Sequence, residues 1–217
     1  MKILVVGNEV SQAEFNLKFG ALHSVVFKTS RELTSHQINA ANLVFDFEVA
    51  PDTEHGNLYR DHPNTPLVVN SVFTTARELV RCFNWPNEVI GFNGFPGFFN
   101  RPQLEITFPI DDQSSQKILN QLGTKYQVVK DRVGLVTPRV ICMIINEACY
   151  TVQEGTARES DIDLAMKLGT NYPAGPFEML KTIGVDNIYR LLLAIQQDTG
   201  DERYKICPLL KSWYLEQ

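Results

Sequence analysis

Few residues in this chain are of a type and spacing suited to moving protons, holding a metal or attacking a substrate. All four histidines, His23, His36, His55 and His62, precede residue 63, so the second half has no imidazole to offer. Two of them fall in an acidic stretch with Asp52, Glu54 and Asp61, which invites a metal reading. The spacing matches no standard ligand pattern. The stretch therefore reads as a solvated loop, and no metal is expected. The cysteines Cys82, Cys142, Cys149 and Cys207 form no CxxC pair and have no neighbouring histidine. They read as free core thiols of a protein kept in a reducing cytoplasm. The aromatic run Phe92, Phe95, Phe98 and Phe99, broken by Gly94, Pro96 and Gly97, suits a pocket wall or domain packing better than a base-stacking platform.

A formal net charge of -5 repels the polyanions, so neither nucleic acid nor an anionic membrane is an expected partner. No apolar run approaches the roughly 18 residues that suggest a membrane span. The opening Met1–Val6 stretch stops at Gly7-Asn8-Glu9, too soon for a signal-peptide core, and reads as a first strand.

The elements that must position any site divide at about residue 130. Before it, short apolar runs alternate with helical stretches. Strands are expected at Lys2–Val6, Ser24–Phe27, Leu43–Phe47, Leu67–Asn70, Val89–Phe92 and Gln127–Val129. Helices are expected at Ser11–Phe19, Thr34–Asn42, Thr74–Phe83 and Asp111–Leu122. Near-continuous apolar strands alternating with helices predict a parallel sheet covered on both faces. Glu48–Thr65 is polar, carries Pro51 and Pro63, and reads as a long surface loop. After Asp131 the strand pattern stops. Val133, Val136, Val140, Ile144, Ala148 and Val152 recur every three or four residues and define an amphipathic helix, its regular part beginning at or just before Pro138. Thr156 to Glu159 has the spacing of a capping box for a helix ending at Gly169; Pro176 opens a short helix closed by Gly184, and Asp186 is suited to cap another. The expected architecture is α/β, a shortened Rossmann-like domain over residues 1–129 followed by an all-α domain over 130–217.

A dinucleotide site in such a sheet needs Gly-x-Gly-x-x-Gly after the first strand, so that backbone can approach the pyrophosphate. Here the run is Gly7-Asn8-Glu9-Val10-Ser11-Gln12, which keeps Gly7 alone, and Glu9 brings a carboxylate to the place of a phosphate. The second strand is followed by Lys28, where an acid normally meets the ribose.

Two further segments carry a family resemblance. Ser160-Asp-Ile-Asp-Leu-Ala-Met-Lys-Leu-Gly-Thr-Asn-Tyr-Pro-Ala-Gly-Pro-Phe-Glu-Met-Leu180 resembles the motif of the 3-hydroxyacyl-CoA dehydrogenases, in which an acidic-Ile-Asp helix leads to a Leu-Gly turn and Tyr-Pro-x-Gly-Pro. Its physical sense is turn geometry rather than reactivity. Val89-Ile-Gly-Phe-Asn93 is similar to the family's strand ending in Gly-Leu-His, and Leu104-Glu105-Ile106 to its Val-Glu-Val strand. Glu105 lies twelve residues after Asn93, the family's spacing between histidine and glutamate. The resemblance spans about residues 66 to 190.

That resemblance implies acyl-CoA metabolism, NAD as cofactor, an acyl-CoA substrate and pairing into a homodimer through the helical domain. It places catalytic roles at Glu105, at Asn93 in the slot of the proton-transferring histidine, and at the substrate-contacting serine, which falls at Ser71 or Val72. The family's asparagine at the start of the helical domain falls at Pro138. An amide cannot take up and release a proton near neutral pH, so the standard hydride transfer is expected to be impaired. The alternative is a non-catalytic acyl-CoA-binding or structural dimerising relative. Ile141, Ile144, Ile145, Leu191, Leu192, Leu193 and Ile195 occupy more than one helical face, which calls for a second packing surface, on another copy or on the chain's own α/β domain.

Overall fold

A computed structural model describes residues 1–109 and 114–217, in two compact units, Met1–Leu135 and Val136–Gln217. The division falls after Leu135 rather than after Val129.

In the first unit β1 (Lys2–Val6), α1 (Glu9–Phe19), β2 (Ser24–Lys28), α2 (Ser35–Asn39), β3 (Leu43–Asp46), α3 (Gly56–Arg60), β4 (Leu67–Asn70), α4 (Ala76–Phe83), β5 (Val89–Phe92), β6 (Gln103–Thr107), α5 (Ser114–Leu122) and β7 (Lys125–Val128) follow one another. The described strands form one sheet in the order β2-β1-β3-β4-β5-β6-β7, parallel except that β6 runs antiparallel to β5. The usual doubly wound order, 3-2-1-4-5-6, places another strand beyond β2; here β2 is the edge. The expected helix Asp111–Leu122 is observed from Ser114, and residues 111–113 lie outside those described.

Alternation along each strand sends side chains to two separate cores. Ile3, Val5, Phe45, Val68, Ile90, Phe92 and Ile106 pack with Phe15 and Phe19 of α1 and Leu119 of α5. Leu4, Val6, Val44, Leu67, Val69 and Val89 pack with Ile38 of α2, Tyr59 of α3, and Ala76, Leu79 and Phe83 of α4. Both faces are dry, which is why the strands read as continuous apolar runs. Phe99 joins the first core and stacks on Phe15 at 5.8 Å, and Phe95 and Phe98 are also buried, so the aromatic run is domain packing.

Residues 48–65 correct the expectation of a surface loop. They contain α3, and Val49, Tyr59 and Thr65 are buried, with His55 close to fully so. The polar composition concealed that His55 and Tyr59 turn inward to a buried partner, while Asp52, Glu54, Arg60 and Asp61 remain exposed.

The second unit is helical: α6 (Thr137–Gln153), α7 (Glu159–Thr170), α8 (Pro176–Ile183), α9 (Val185–Thr199) and α10 (Pro208–Leu215). Pro138 sits in the first turn of α6, where its missing N–H costs nothing. The buried Asn146 of α6 accepts from Cys207 N (2.9 Å) and donates to Lys205 O (2.9 Å), tying down the chain before α10. Two expected caps are displaced. Arg158, not Thr156, is the N-cap of α7, and Gly184 precedes α9, with Asp186 in its first turn 3.5 Å from Arg190.

The motif from Ser160 to Leu180 has a concrete architectural function. Asp163 points back from α7, and its Oδ1 accepts from Phe177 N at 2.8 Å, satisfying an otherwise orphaned amide at the start of α8. Glu178 Oε2 accepts from Gly175 N at 2.9 Å and also pairs with Lys167. A Cβ on Gly175 would collide with the Asp163 carboxylate, so glycine is required there for space.

Candidate functional site

The site begins where β5 and β6 run past each other. Gly91 faces Thr107 and Phe92 faces Ile106. One step further, Asn93 and Glu105 form a cross-strand pair. Asn93 N donates to Glu105 O (2.9 Å), and Asn93 Nδ2 donates to Glu105 Oε2 (3.3 Å). Asn93 Oδ1 accepts from Phe95 N at 3.1 Å, which fixes the amide's orientation. Both residues are buried, Asn93 3% and Glu105 8% exposed.

Ser71 follows β4, and its N donates to Phe92 O at 3.1 Å. Its hydroxyl is fully buried and has no hydrogen-bond partner among the described residues, and the same holds for Thr107. Ser71 Oγ lies 2.6 Å from where a Cβ on Gly91 would sit, with Ala76 of α4 beside it. Ser71, Thr107, Asn93 and Glu105 therefore lie on the α4 side of the sheet, with Ser71 packed over Gly91. Its neighbour Val72 is wholly buried.

Asn70 was not singled out in the sequence. Its Oδ1 accepts from Gly94 N (3.2 Å) and Val72 N (3.4 Å), and its Nδ2 donates to Phe47 O (3.3 Å). One side chain thus joins the carboxyl ends of β3, β4 and β5. The available signal was an amide ending an otherwise apolar strand.

At the carboxyl end of β1, Gly7 packs where a Cβ would strike Ser11, with Phe47 Cβ at 3.4 Å. The α1 N-terminus is capped from within: Asn8 Oδ1 accepts from Ser11 N at 3.0 Å. Gln12 stands where the third glycine of the phosphate-binding pattern would be, and its Nε2 donates to Gly7 O at 2.7 Å. Phe47 contacts the Phe92 and Phe99 rings at 4.9 and 5.1 Å, at the point where the strand order reverses between β1 and β3.

A second polar cluster escaped the sequence reading. The Asp46 carboxylate is fully buried and accepts from Glu48 N (2.8 Å), Val49 N (2.9 Å), His55 Nε2 (2.9 Å) and Tyr59 OH (2.6 Å). Burial alone would push His55 down, but the hydrogen bond and charge of Asp46, with Glu48 behind it, hold it above its ordinary value. Burial pushes Tyr59 well up, reinforced by the same carboxylates. His55 therefore faces a carboxylate rather than solvent, which corrects the loop reading. Among the described residues, no three of His, Cys, Asp and Glu are grouped to hold a metal. Burial raises the Cys142 thiol and pushes Cys149 up to about 12, which suits inert core thiols.

A mostly parallel sheet unit, with Glu105 opposite Asn93 just after β5, precedes a helical unit, the order that the family resemblance calls for. Residues 134–217 match the family model "3-hydroxyacyl-CoA dehydrogenase, C-terminal domain". The chain is 31% identical over 160 residues to a probable 3-hydroxybutyryl-CoA dehydrogenase of Bacillus subtilis (strain 168), covering 70% of this chain and 54% of that protein. It is 28% identical over 204 residues to the 3-hydroxybutyryl-CoA dehydrogenase of Clostridioides difficile, covering 84% and 71%. The crystal structure of the (S)-3-hydroxybutyryl-CoA dehydrogenase PaaH1 from Ralstonia eutropha superposes with a TM-score of 0.77 at 19% identity, covering 99% of this chain and 93% of that one, which shows the shared fold. These matches support the 3-hydroxyacyl-CoA dehydrogenase family for this chain, most directly over residues 134–217. The match spans about half, or less, of the Bacillus protein and of the 3-hydroxyadipyl-CoA dehydrogenase of Escherichia coli (strain K12), at 54% and 20% of their lengths.

Proposed function

We propose that this protein acts in acyl-CoA metabolism as a divergent 3-hydroxyacyl-CoA dehydrogenase relative in which the standard NAD-dependent hydride transfer is impaired. The observation that carries the reading is the Asn93–Glu105 pair. Where the family resemblance calls for a histidine held by a glutamate, the glutamate is present, but its partner is an amide with no proton to exchange near neutral pH. Glu105 then orients Asn93 and lends the site its negative charge without completing a base.

The loop after β1 does not fit a dinucleotide pyrophosphate bound in the usual way. The side chain of Asn8 takes up the Ser11 amide of α1, Gln12 stands in place of the third glycine and is bonded to Gly7 O, and Glu9 adds like charge. Phe47 packs against Gly7 and the Phe92 ring at the strand switch point. No step through NAD is assigned to these residues.

An acyl-CoA ligand and a second copy of the chain are the partners this reading calls for. Of the seven apolar residues singled out on α6 and α9, Ile141, Ile145, Leu191, Leu192 and Ile195 are buried within the chain, and Ile144 and Leu193 are half-buried, so the more exposed apolar surface lies elsewhere. Leu164 and Leu168, one turn apart on α7, are 55% and 78% exposed. Such a pair on one helix face suits docking of a second copy.

A thermal-shift screen with NAD, NADP, CoA and acetoacetyl-CoA tests the ligand reading, because a ligand that binds the native state alone raises Tm. A rise with acetoacetyl-CoA or CoA and none with NAD is expected. A rise with NAD comparable to that with acetoacetyl-CoA would overturn the reading of the β1 loop, and no rise with either CoA compound would overturn the acyl-CoA assignment. Light scattering is expected to give a dimer that Leu168→Lys dissociates; a persistent 24.6 kDa species would refute the pairing.

A further inference from the structure

We infer that Asp46, His55 and Tyr59 form a proton-operated latch that fastens residues 48–60 to the carboxyl end of β3. The geometry gives each member a distinct part. Asp46 is the last residue of β3 and is wholly buried, so its charge has no water to stabilise it. Two of its hydrogen bonds come from the backbone immediately after it, Glu48 N and Val49 N. The other two come from the far end of the segment, His55 Nε2 and Tyr59 OH. One carboxylate therefore holds both ends of the segment.

The surroundings leave His55 as the cation of the cluster. The end of β3 and the turn after it contribute the carboxylates of Asp46 and Glu48, and α3 contributes the Tyr59 hydroxyl. From α4 and the following turn come the Phe83 ring against Gly56, the Trp85 ring 5.7 Å from Tyr59, and the Cys82 thiol at Pro51 O. On the α2 side, His62 Nδ1 meets Asn39 Oδ1 at 2.8 Å. The segment itself adds the carboxylates of Asp52 and Glu54. Among the described residues, no lysine or arginine is hydrogen-bonded to Asp46. A protonated His55 neutralises the buried carboxylate, whereas a neutral one still donates but leaves that charge uncompensated.

The sign follows. A histidine whose folded value is raised contributes its extra stability below its unfolded value, and loses it as pH rises through the folded value. The latch is tight in acid and looser in base. Because Glu48 Oε2 also accepts from Ser30 N beyond β2 (3.2 Å), and Phe47 lies at the switch point, the latch sets the geometry of the crevice between β1 and β3.

The test combines an NMR titration of the His55 ring with hydrogen-exchange protection of the Glu48 and Val49 amides. Both are followed from about pH 5 to about pH 9, on either side of the ordinary histidine value. Protection, corrected for intrinsic exchange, is expected to fall between two plateaus whose ratio is ten raised to the observed pKa elevation. Tyr59→Phe should lower protection but keep the pH dependence, and His55→Gln should abolish the dependence. Protection that stays level across the wild-type titration, or that falls equally in His55→Gln, would overturn the latch.

Discussion

Asn93 Nδ2 lies 3.3 Å from Glu105 Oε2, across the single antiparallel step of the sheet. The reversal of β6 brings two residues twelve positions apart face to face, and both are buried, so the pair is screened from bulk water. Asn93→His would install an imidazole at this carboxylate. Its pKa is expected to rise above the ordinary histidine value, readable by NMR, since an adjacent negative charge favours the charged form. Turnover is not expected to return, because the loop after β1 is unchanged. Full recovery from that one substitution would show that the loop is no obstacle.

Gly91 is a test of how tightly the floor of the site is packed. A Cβ there would come within 2.5 Å of Thr107 Cγ2 and 2.6 Å of Ser71 Oγ. Gly91→Ala is expected to destabilise by about 1–3 kcal/mol through overpacking, measured by urea denaturation. A neutral result would mean that Ser71 and Thr107 yield easily and that the floor is soft.

Asp163→Ala should remove the carboxylate that accepts from Phe177 N. Loss of a capping acceptor costs about 0.5–2 kcal/mol, so the urea midpoint should fall with the slope unchanged. An unchanged midpoint would reduce the motif around Asp163 to sequence coincidence.

Glu78 gives a pH dependence of opposite sign to that of His55. Hydrogen bonds from Thr75 backbone and from the Thr75 and Thr74 hydroxyls outweigh burial and hold its carboxyl below the ordinary glutamate range. A depressed carboxylate contributes stability above its unfolded value and loses it as pH falls through the folded one. Thermal unfolding of Glu78→Gln should therefore lose stability relative to wild type near neutrality and converge with it in acid. A constant gap across that range would assign the effect to packing.

The parallel strands were legible because both sheet faces are covered, which turns β1, β3 and β4 into unbroken apolar runs. It was the family resemblance, through the spacing it implies between Asn93 and Glu105, that paired those two residues. The Asp46 cluster was hidden for the converse reason: His55 and Tyr59 are polar residues in a stretch with two prolines, and only the fold reveals that a buried carboxylate pairs them. Thr156 failed as a cap because a capping-box spacing says nothing about the backbone around it; the helix instead begins after Arg158, in extended conformation. The amide ending β4 marked Asn70, but not its role, because its bonds reach backbone just beyond two neighbouring strands, which no local pattern records.

The proposed loss of the family's proton-transfer chemistry at Asn93 meets its sharpest test in steady-state oxidation of 3-hydroxybutyryl-CoA with NAD by the purified protein. Turnover is expected far below the common enzyme range of about 1–1000 per second, with no pH optimum attributable to a histidine. Turnover within that range would contradict it.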